Sequence, residues 1–286
     1  MSHKLIQDAL FNAKSVRELD RLAIEEEGIA GIVLMKRAGR AVLQELLELY
    51  GAPSLLSVFC GGGNNGGDGY ILAALAAEKH IPVQVFELSE ELSGDAAIAR
   101  QYAEQAKVLC TVFDPSLDIV EGVIVDSLLG TGYQGQLRSS YAEAIQIIND
   151  SGLPVLAVDI PSGLQADNGA VAELSVQADV TVTFIGAKPG LFSGRGPGVC
   201  GEVIYHSLDV PETIFDQVEP DAELMDLAEL LDYLPQLDID AHKTQRGHTM
   251  VVGGDRGFGG AAIMAAEASA RLGSGMTTVA TRPEHI

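Results

Sequence analysis

Residues 55–69 read LLSVFC followed by GGGNNGGDG, an apolar run that stops abruptly at a glycine-rich turn. A short run rich in apolar and β-branched residues is typical of a buried strand, which we expect from Leu55 to Cys60. Glycine has no Cβ, so the residues that follow let the backbone approach a ligand closely. A helical pattern begins at about Tyr70. The stretch therefore predicts strand, loop and helix, with the loop open to a ligand.

The same alternation of short apolar runs and helical patterns continues along the chain. It predicts a Rossmann-like, doubly wound α/β fold, in which a mostly parallel sheet carries helices on both faces. Two helices precede the first strand: one opens at a capping box formed by Ser15 and Glu18, and one runs from about Ile32 to Tyr50. The later predicted strands are Pro82–Leu88, Gly122–Asp126, Pro154–Asp159, Asp179–Phe184 and Val203–Tyr205, and the helices are Tyr70–Lys79, Ser93–Lys107 and Ser139–Asn149.

Composition narrows the class of protein. The formal net charge of −22 argues against a nucleic-acid surface, because neutralising phosphates requires clustered Lys and Arg. The opening residues carry no signal-peptide pattern, and no apolar run approaches the roughly 18 residues of a membrane span. The three cysteines are widely spaced, which favours reduced thiols. We expect a soluble, cytoplasmic protein with neither a nucleic-acid nor a membrane partner.

Three strand ends carry side-chain oxygens that converge at one sheet edge if the sheet is parallel. Asn65 follows the first strand, Asp126 ends the third, and Ser162 follows Asp159 at the end of the fourth. An amide, a carboxylate and a hydroxyl suit a hard or weakly charged cation. The alternative is that each residue caps a helix or a turn, as Asn, Asp and Ser commonly do. Position alone leaves both interpretations open.

Asp159 is the candidate acid–base group, because a carboxyl at a strand end faces the ligand crevice and partial burial can raise its pKa. Its alternative is an ordinary turn or cap. Gly130 to Gln136 can offer consecutive backbone N–H groups to phosphate, or can be a flexible loop. Lys188 can reach a phosphate, although a solvated loop lysine is the simpler interpretation. The six histidines are scattered outside the three loops and indicate no site.

The glycine-rich turn also fits the pattern G-x-G-x-x-G through Gly61, Gly63 and Gly66. Glu87 closes the next strand, at the spacing of the acid that binds ribose in NAD-dependent dehydrogenases. This motif is weak by itself. It leaves an NAD(P)-dependent oxidoreductase as an alternative function, and a non-catalytic Rossmann-like binding module is a second one.

Three blocks in this order and spacing resemble the NAD(P)H-hydrate epimerase family. They are Gly63-Asn64-Asn65-Gly66-Gly67-Asp68-Gly69, then Asp126 with Gly130-Thr131-Gly132, then Asp159-Ile160-Pro161-Ser162-Gly163. The resemblance covers about residues 10 to 215. It implies an isomerase that interconverts the R and S forms of NADHX and NADPHX, which carry water at C6 of the nicotinamide ring. It also implies a homodimer and one potassium ion per subunit.

Carried over by motif, the resemblance assigns the ligands of potassium as Asn65, Asp126 and Ser162. It assigns substrate binding to Asn64, Asn65, Gly66, Gly67, Asp68, Gly130, Thr131, Gly132, Tyr133, Gln134, Gly135, Gln136 and Asp159. The catalytic role of Asp159, which would donate and then recover the proton, is a hypothesis that rests on its place at a strand end. Lys36-Arg37 departs from the family, whose members often have an acid and an amide there.

The end of the chain resembles the opening of the ADP-dependent NAD(P)H-hydrate dehydratase family, a ribokinase-like fold. The resemblance rests on His242-Lys243, Val251-Val252-Gly253-Gly254 and Gly259-Gly260-Ala261-Ala262, although Thr244 replaces a usual glycine. We therefore expect an epimerase domain at 1–215, an acidic linker at 216–240, and a truncated βαβ fragment at 241–286. No dehydratase activity is expected from such a fragment.

Overall fold

The computed structural model describes residues 6, 8–89, 91–226, 230–231, 233–234 and 239–285. It divides into two compact units, Met1–Leu224 and Met225–Ile286. No helix in the described ranges is both long and apolar enough to cross a lipid bilayer.

The first unit is built on a seven-stranded sheet whose strands are all parallel. The sheet strands are β2 (Leu56–Cys60), β3 (Val83–Glu87), β4 (Leu109–Val112), β5 (Val123–Ser127), β6 (Val155–Val158), β7 (Val180–Phe184) and β8 (Glu202–His206). Their spatial order is β4-β3-β2-β5-β6-β7-β8. The order reverses between β2 and β5, and a doubly wound sheet binds its ligand at such a switch point. The predicted fold class is confirmed.

Helices cover both faces of the sheet. Among the described residues, the α-helices of the first unit include α1 (Ala13–Glu25), α2 (Gly31–Tyr50), α3 (Asn64–Glu78), α4 (Gly94–Gln105), α5 (Ser139–Asp150), α6 (Pro189–Phe192) and α7 (Gly196–Val199). Side chains alternate along a strand, so Val123 and Val125 join a core with α1 to α4, whereas Ile124 packs with α5 on the other face.

The glycine-rich block is helical, which the sequence did not predict. Helix α3 begins at Asn64 rather than at Tyr70, so the residues from Asn64 to Gly69 form its first turns. Glycine disfavours a helix interior. Here tertiary packing requires it, because a Cβ on Gly66 would overlap the carbonyl oxygen of Gly61, and one on Gly67 would meet Met35.

Two further predictions about the ends of this unit were wrong. Helix α1 has no capping box at Ser15 and Glu18, because it starts earlier and Asn12 is its N-cap, accepting from the amides of Lys14 and Ser15 at 2.9 Å. The predicted linker also begins too early. Glu212–Gln217 forms a 3-10 helix, and β9 (Ala222–Glu223) pairs with β1 (Ala9–Leu10).

Asp221 explains why the acidic segment stays on the first unit. Its carboxylate accepts from the backbone amide of Asn12 at 2.9 Å and from the Asn12 side chain at 2.6 Å. Asp221 therefore binds the N-terminal end of α1, although its side chain is exposed. The remaining linker positions at 227–229, 232 and 235–238 lie outside the described residues, as does His3.

The second unit contains a single βαβ motif, as predicted. Strand β10 (His248–Val252) pairs in parallel with β11 (Met276–Ala280), and α8 (Gly259–Arg271) connects them. Large apolar side chains of this motif, including Phe258 and Met264, are exposed. One βαβ motif has too little partner surface to bury both of its apolar faces.

Candidate functional site

A cleft of about 840 Å³ opens at the switch point of the sheet. Its walls come from α1, α2, the start of α3, the loop after β5, and the residues that follow β6 and β7. This volume lies in the range of small-molecule and cofactor pockets, on the order of 300–1,000 Å³. None of the described histidines lines it.

The three predicted oxygen donors meet around the backbone of Leu129. The Asn65 amide donates to the Leu129 carbonyl oxygen at 3.0 Å, and the Leu129 N–H donates to the Ser162 hydroxyl at 2.8 Å. Asp126 is fully buried and accepts from the Ser162 hydroxyl at 2.6 Å and from the Ser162 N–H at 2.7 Å. Hydrogen bonds therefore bring together the three strand ends that the sequence predicted to converge.

One atom in this cluster has no partner. The side-chain oxygen of Asn65 is buried and accepts no hydrogen bond from the described residues. Leaving a buried acceptor unsatisfied costs on the order of 1–3 kcal/mol, so such an atom calls for an explanation. Together with the carboxylate of Asp126, the hydroxyl of Ser162 and the carbonyl of Leu129, it forms an oxygen-only donor set. The residues present fit a monovalent cation.

Burial raises the pKa of Asp126 to about 6, although hydrogen bonds from Ser162 and Leu128 oppose that effect. No group of three or more His, Cys, Asp or Glu side chains in the described ranges is arranged to hold a metal ion. The single carboxylate therefore stands among neutral donors, a set that matches a cation of low charge better than a divalent one.

Asp159 lies at the end of β6 and lines the cleft. Its backbone is left-handed, with φ of 67°, and Ile185 at the end of the neighbouring β7 has φ of 58°. Such conformations are rare for residues other than glycine, above all for a β-branched one, and they concentrate at functional sites. Both of these residues line the cleft.

Lys188 holds the Asp159 carboxylate in place. The lysine is only 1% exposed, and its ammonium donates to Asp159, to the Thr183 hydroxyl at 3.0 Å and to the Phe184 carbonyl at 3.2 Å. All three donors of the ammonium are therefore satisfied. The interpretation of Lys188 as a solvated loop lysine was wrong, because its partner lies far away in sequence.

Two further carboxyls share the cleft with this ion pair. Asp20 projects from α1 and Asp68 from the early turns of α3. Burial raises the pKa of Asp20 to about 6, with the charge of Asp159 adding to the effect and Lys188 opposing it. Burial, then the charges of Asp159 and Asp20, raise the pKa of Asp68 well above its usual range. The site therefore combines one ion-paired carboxylate with two carboxyls whose pKa values are raised.

Most residues predicted to bind substrate line the cleft. These are Asn64, Asn65, Asp68, Gly130, Thr131, Gly132, Tyr133, Gln134, Gln136 and Asp159. Gly66, Gly67 and Gly135 do not. The first two pack inside the protein, and the Gly135 carbonyl accepts from the Tyr133 hydroxyl at 2.7 Å.

Glu87 is placed elsewhere. Its carboxylate accepts from the Tyr70 hydroxyl at 2.9 Å and from Arg100 at 2.6 Å, and it does not line the cleft. The acid at the dehydrogenase spacing thus has structural partners and is not directed at a ribose. This placement removes the main support for the oxidoreductase alternative.

Sequence reasoning missed Asp20, together with Arg17 on the same helix. The two residues are about one turn apart, and Val16 on the same helix also lines the cleft. The only available signal was an arginine and an aspartate at i, i+3 beside an apolar stripe. That pattern is also typical of an ordinary solvated helix face.

Substituting Gly61 with alanine is expected to destabilise the protein by at least about 2 kcal/mol, because inserting atoms into a packed site forces the backbone to shift. The new Cβ would overlap the carbonyl oxygen of Leu128. Thermal unfolding measures the effect, and Gly198→Ala, whose Cβ would meet nothing within 4 Å, is the matched control. Equal midpoints for the two variants would contradict the close approach of β2 and the β5 loop.

Comparison with known proteins agrees with this geometry. Residues 31–190 match the family model described as YjeF-related protein N-terminus. The crystal structure of yeast ynu0 superposes with a TM-score of 0.63 at 19% identity, covering 76% of this chain and 95% of that one. At that identity the likeness concerns the fold.

Relatives of higher identity carry a shared name. The chain is 43% identical, over 97% of its length, to the bifunctional NAD(P)H-hydrate repair enzyme Nnr of Coxiella burnetii, covering 57% of that protein. It is 36% identical over 98% of its length to the Nnr of Escherichia coli K12, covering 55%, and 37% identical over 97% to the repair enzyme of Leishmania braziliensis, covering 51%. The chain thus spans slightly more than half the length of these relatives.

Proposed function

Because the chain belongs to the YjeF-related protein N-terminus family, we propose that it epimerises the R and S forms of hydrated NADH and NADPH. The observation that carries the proposal is a cleft lined by Asp159, which Lys188 holds, and by Asn65 and Leu129. Hydrogen bonds connect Leu129 to Ser162, which is buried, and Ser162 to Asp126, which is also buried. The enzyme class would be an isomerase, with no change in the oxidation state of the nicotinamide.

The chemistry requires acid–base groups and little else. The C6 hydroxyl lies beside the ring nitrogen, so its protonation and loss as water leave a cation that the nitrogen lone pair stabilises. Water that returns to the other face inverts the centre. Asp159 would exchange a proton with the C6 oxygen, and its hydrogen bond from Lys188 supports this role by fixing its orientation. Residues of the loop from Gly130 to Gln136 would bind the phosphates through backbone N–H groups.

A potassium ion belongs to the same proposal. Asn65, Asp126 and Ser162 would hold it, with the unpartnered oxygen of Asn65 as the supporting observation. When bound, the ion would supply a fixed positive charge that orders the loops and attracts the substrate. The residues themselves keep the three strand ends at a fixed separation through Leu129.

A coupled assay tests the proposed function. The R form of NADHX is supplied together with an S-specific, ADP-dependent dehydratase, and NADH formation is followed by absorbance. We expect the protein to accelerate consumption of the R form. An R-form consumption rate equal to the uncatalysed one would refute the proposal.

Two further measurements test the expected lack of dehydratase activity and the expected homodimer. Omitting the added dehydratase while keeping ADP shows whether the chain dehydrates the S form itself, which we do not expect. Light scattering after size-exclusion chromatography reports whether the protein forms the homodimer that belongs to the same proposal.

A further inference from the structure

Asp20 is a cleft carboxyl that the chemistry above leaves unused. It projects from α1, which is outside the sheet, whereas Asp159 follows a sheet strand. The two carboxyls therefore belong to different elements that line the same cleft. Within the described ranges the Asp20 side chain accepts no hydrogen bond from the protein. It therefore has no structural role of the kind that Asp126 has through its hydrogen bonds with Ser162.

Inversion at C6 requires proton transfer at both faces of the nicotinamide ring. The hydroxyl leaves from one face and water arrives at the other, and each event transfers a proton. A carboxyl on one wall of a cleft reaches one face of a bound ring. An epimerase that works in both directions is therefore best served by one acid–base group on each side.

We propose that Asp20 is the second acid–base residue of the epimerase and that it serves the ring face opposite Asp159. The inference rests on the proposed function. In one direction, neutral Asp20 gives its proton to the C6 hydroxyl, the C–O bond breaks, and its electron pair leaves with the water. A second water then forms the new C–O bond from the Asp159 side and gives a proton to that carboxylate.

The step leaves Asp20 ionised and Asp159 protonated, which is the form that converts the product epimer back. Proton exchange with solvent restores the starting form. The groups facing Asp20 support this assignment of roles: Lys188 forms an ion pair with Asp159. Burial raises the pKa of Asp20 to about 6, with Lys188 opposing the effect and Asp159 adding to it. Arg17, one turn earlier on α1, is the other charged residue of that helix in the cleft.

Asp68 is the alternative candidate for the second acid–base residue, and it is less suited to that role. Burial, followed by the charges of Asp159 and Asp20, raises the pKa of Asp68 well above its usual range, with Lys188 opposing the effect. Efficient acid–base catalysis requires a pKa near the working pH, because the group must both give and accept the proton. Asp68 is better suited to donate a hydrogen bond to the substrate.

The test compares Asp20→Asn with Glu18→Gln, an acid-to-amide change on the same helix whose side chain lies outside the cleft and pairs with Arg21. Epimerisation of NADHX and exchange of the C6 oxygen with ¹⁸O-labelled water are measured for both epimers, with uncatalysed rates subtracted. We expect Asp20→Asn to slow epimerisation by about 100-fold or more. Exchange should persist in the one epimer whose hydroxyl faces Asp159, and it should be lost from the other.

The possible outcomes distinguish a failure of the inference about Asp20 from a failure of the proposed epimerase function. A wild-type protein that does not epimerise NADHX would overturn both. An active wild type with a fully active Asp20→Asn variant would overturn the inference alone. So would equal loss of exchange from both epimers, since a merely structural residue would affect them alike. Asp20→Glu, which retains the carboxyl, is expected to recover part of the rate and guards against a folding defect.

Discussion

Asp159→Asn is expected to lower the epimerisation rate by about 10²- to 10⁴-fold, the range that a lost general acid–base group usually costs. Asparagine has nearly the same shape as aspartate but cannot exchange the proton. The change also leaves Lys188 buried without its counter-ion. Breaking one side of a buried ion pair destabilises a protein by roughly 3–5 kcal/mol, so thermal unfolding should shift as well.

The double variant Asp159→Asn with Lys188→Met distinguishes these two effects. Methionine fills similar volume without a charge, so the double variant should regain much of the stability that the single variant loses. It should not regain activity, because the proton-transferring group is still absent. The coupled assay and thermal unfolding together report both quantities. A single variant with the full wild-type rate would rule out the acid–base role of Asp159.

Asp126→Asn is expected to abolish the response of the protein to potassium. Binding of an ion to the folded state alone adds about 2.7 kcal/mol of stability at a concentration 100 times its dissociation constant. The wild-type protein should therefore unfold several degrees higher in potassium chloride than in choline chloride. Asp126 supplies the single charged donor of the oxygen cluster, so its neutral variant should show the same midpoint in both salts.

Activity gives the second readout of that variant. Because the cluster joins the loops after β2, β5 and β6, we expect at least about a tenfold slower epimerisation, in keeping with the cost of disturbing a metal-binding site. Sodium chloride serves as a third salt and tests selectivity. Identical unfolding midpoints of the wild type in all three salts would contradict a cation site at this position.

The sequence predicted those features that depend on local patterns. Apolar runs such as Leu55 to Cys60 located the strands, because a strand buried on both faces must be apolar throughout. The convergence of Asn65, Asp126 and Ser162 followed from the parallel sheet, since the carboxyl ends of its strands share one edge. Glycines and short polar residues at those ends then indicated a site.

Features that depend on distant contacts were not predictable. The block from Asn64 to Gly69 resembles a loop by helix propensity, and it is helical because its glycines pack against Gly61 and Met35. Lys188 resembles a surface lysine until Asp159 is placed beside it. Asp20 lies 139 positions before Asp159, so no local pattern connects the two residues. Strand β4 lies at the edge of the sheet and most of its residues are exposed. The sequence therefore shows no buried apolar run there, and the strand was not predicted.

The left-handed backbone at Asp159 and Ile185 bears on how this protein would evolve in the laboratory. Each such residue costs on the order of 1–3 kcal/mol that glycine would recover. A library selected only for survival after heating should nevertheless retain both residues. Glycine or asparagine at position 159 would leave Lys188 buried without its counter-ion, and glycine at position 185 would remove a buried side chain, so each loss exceeds the relief of backbone strain.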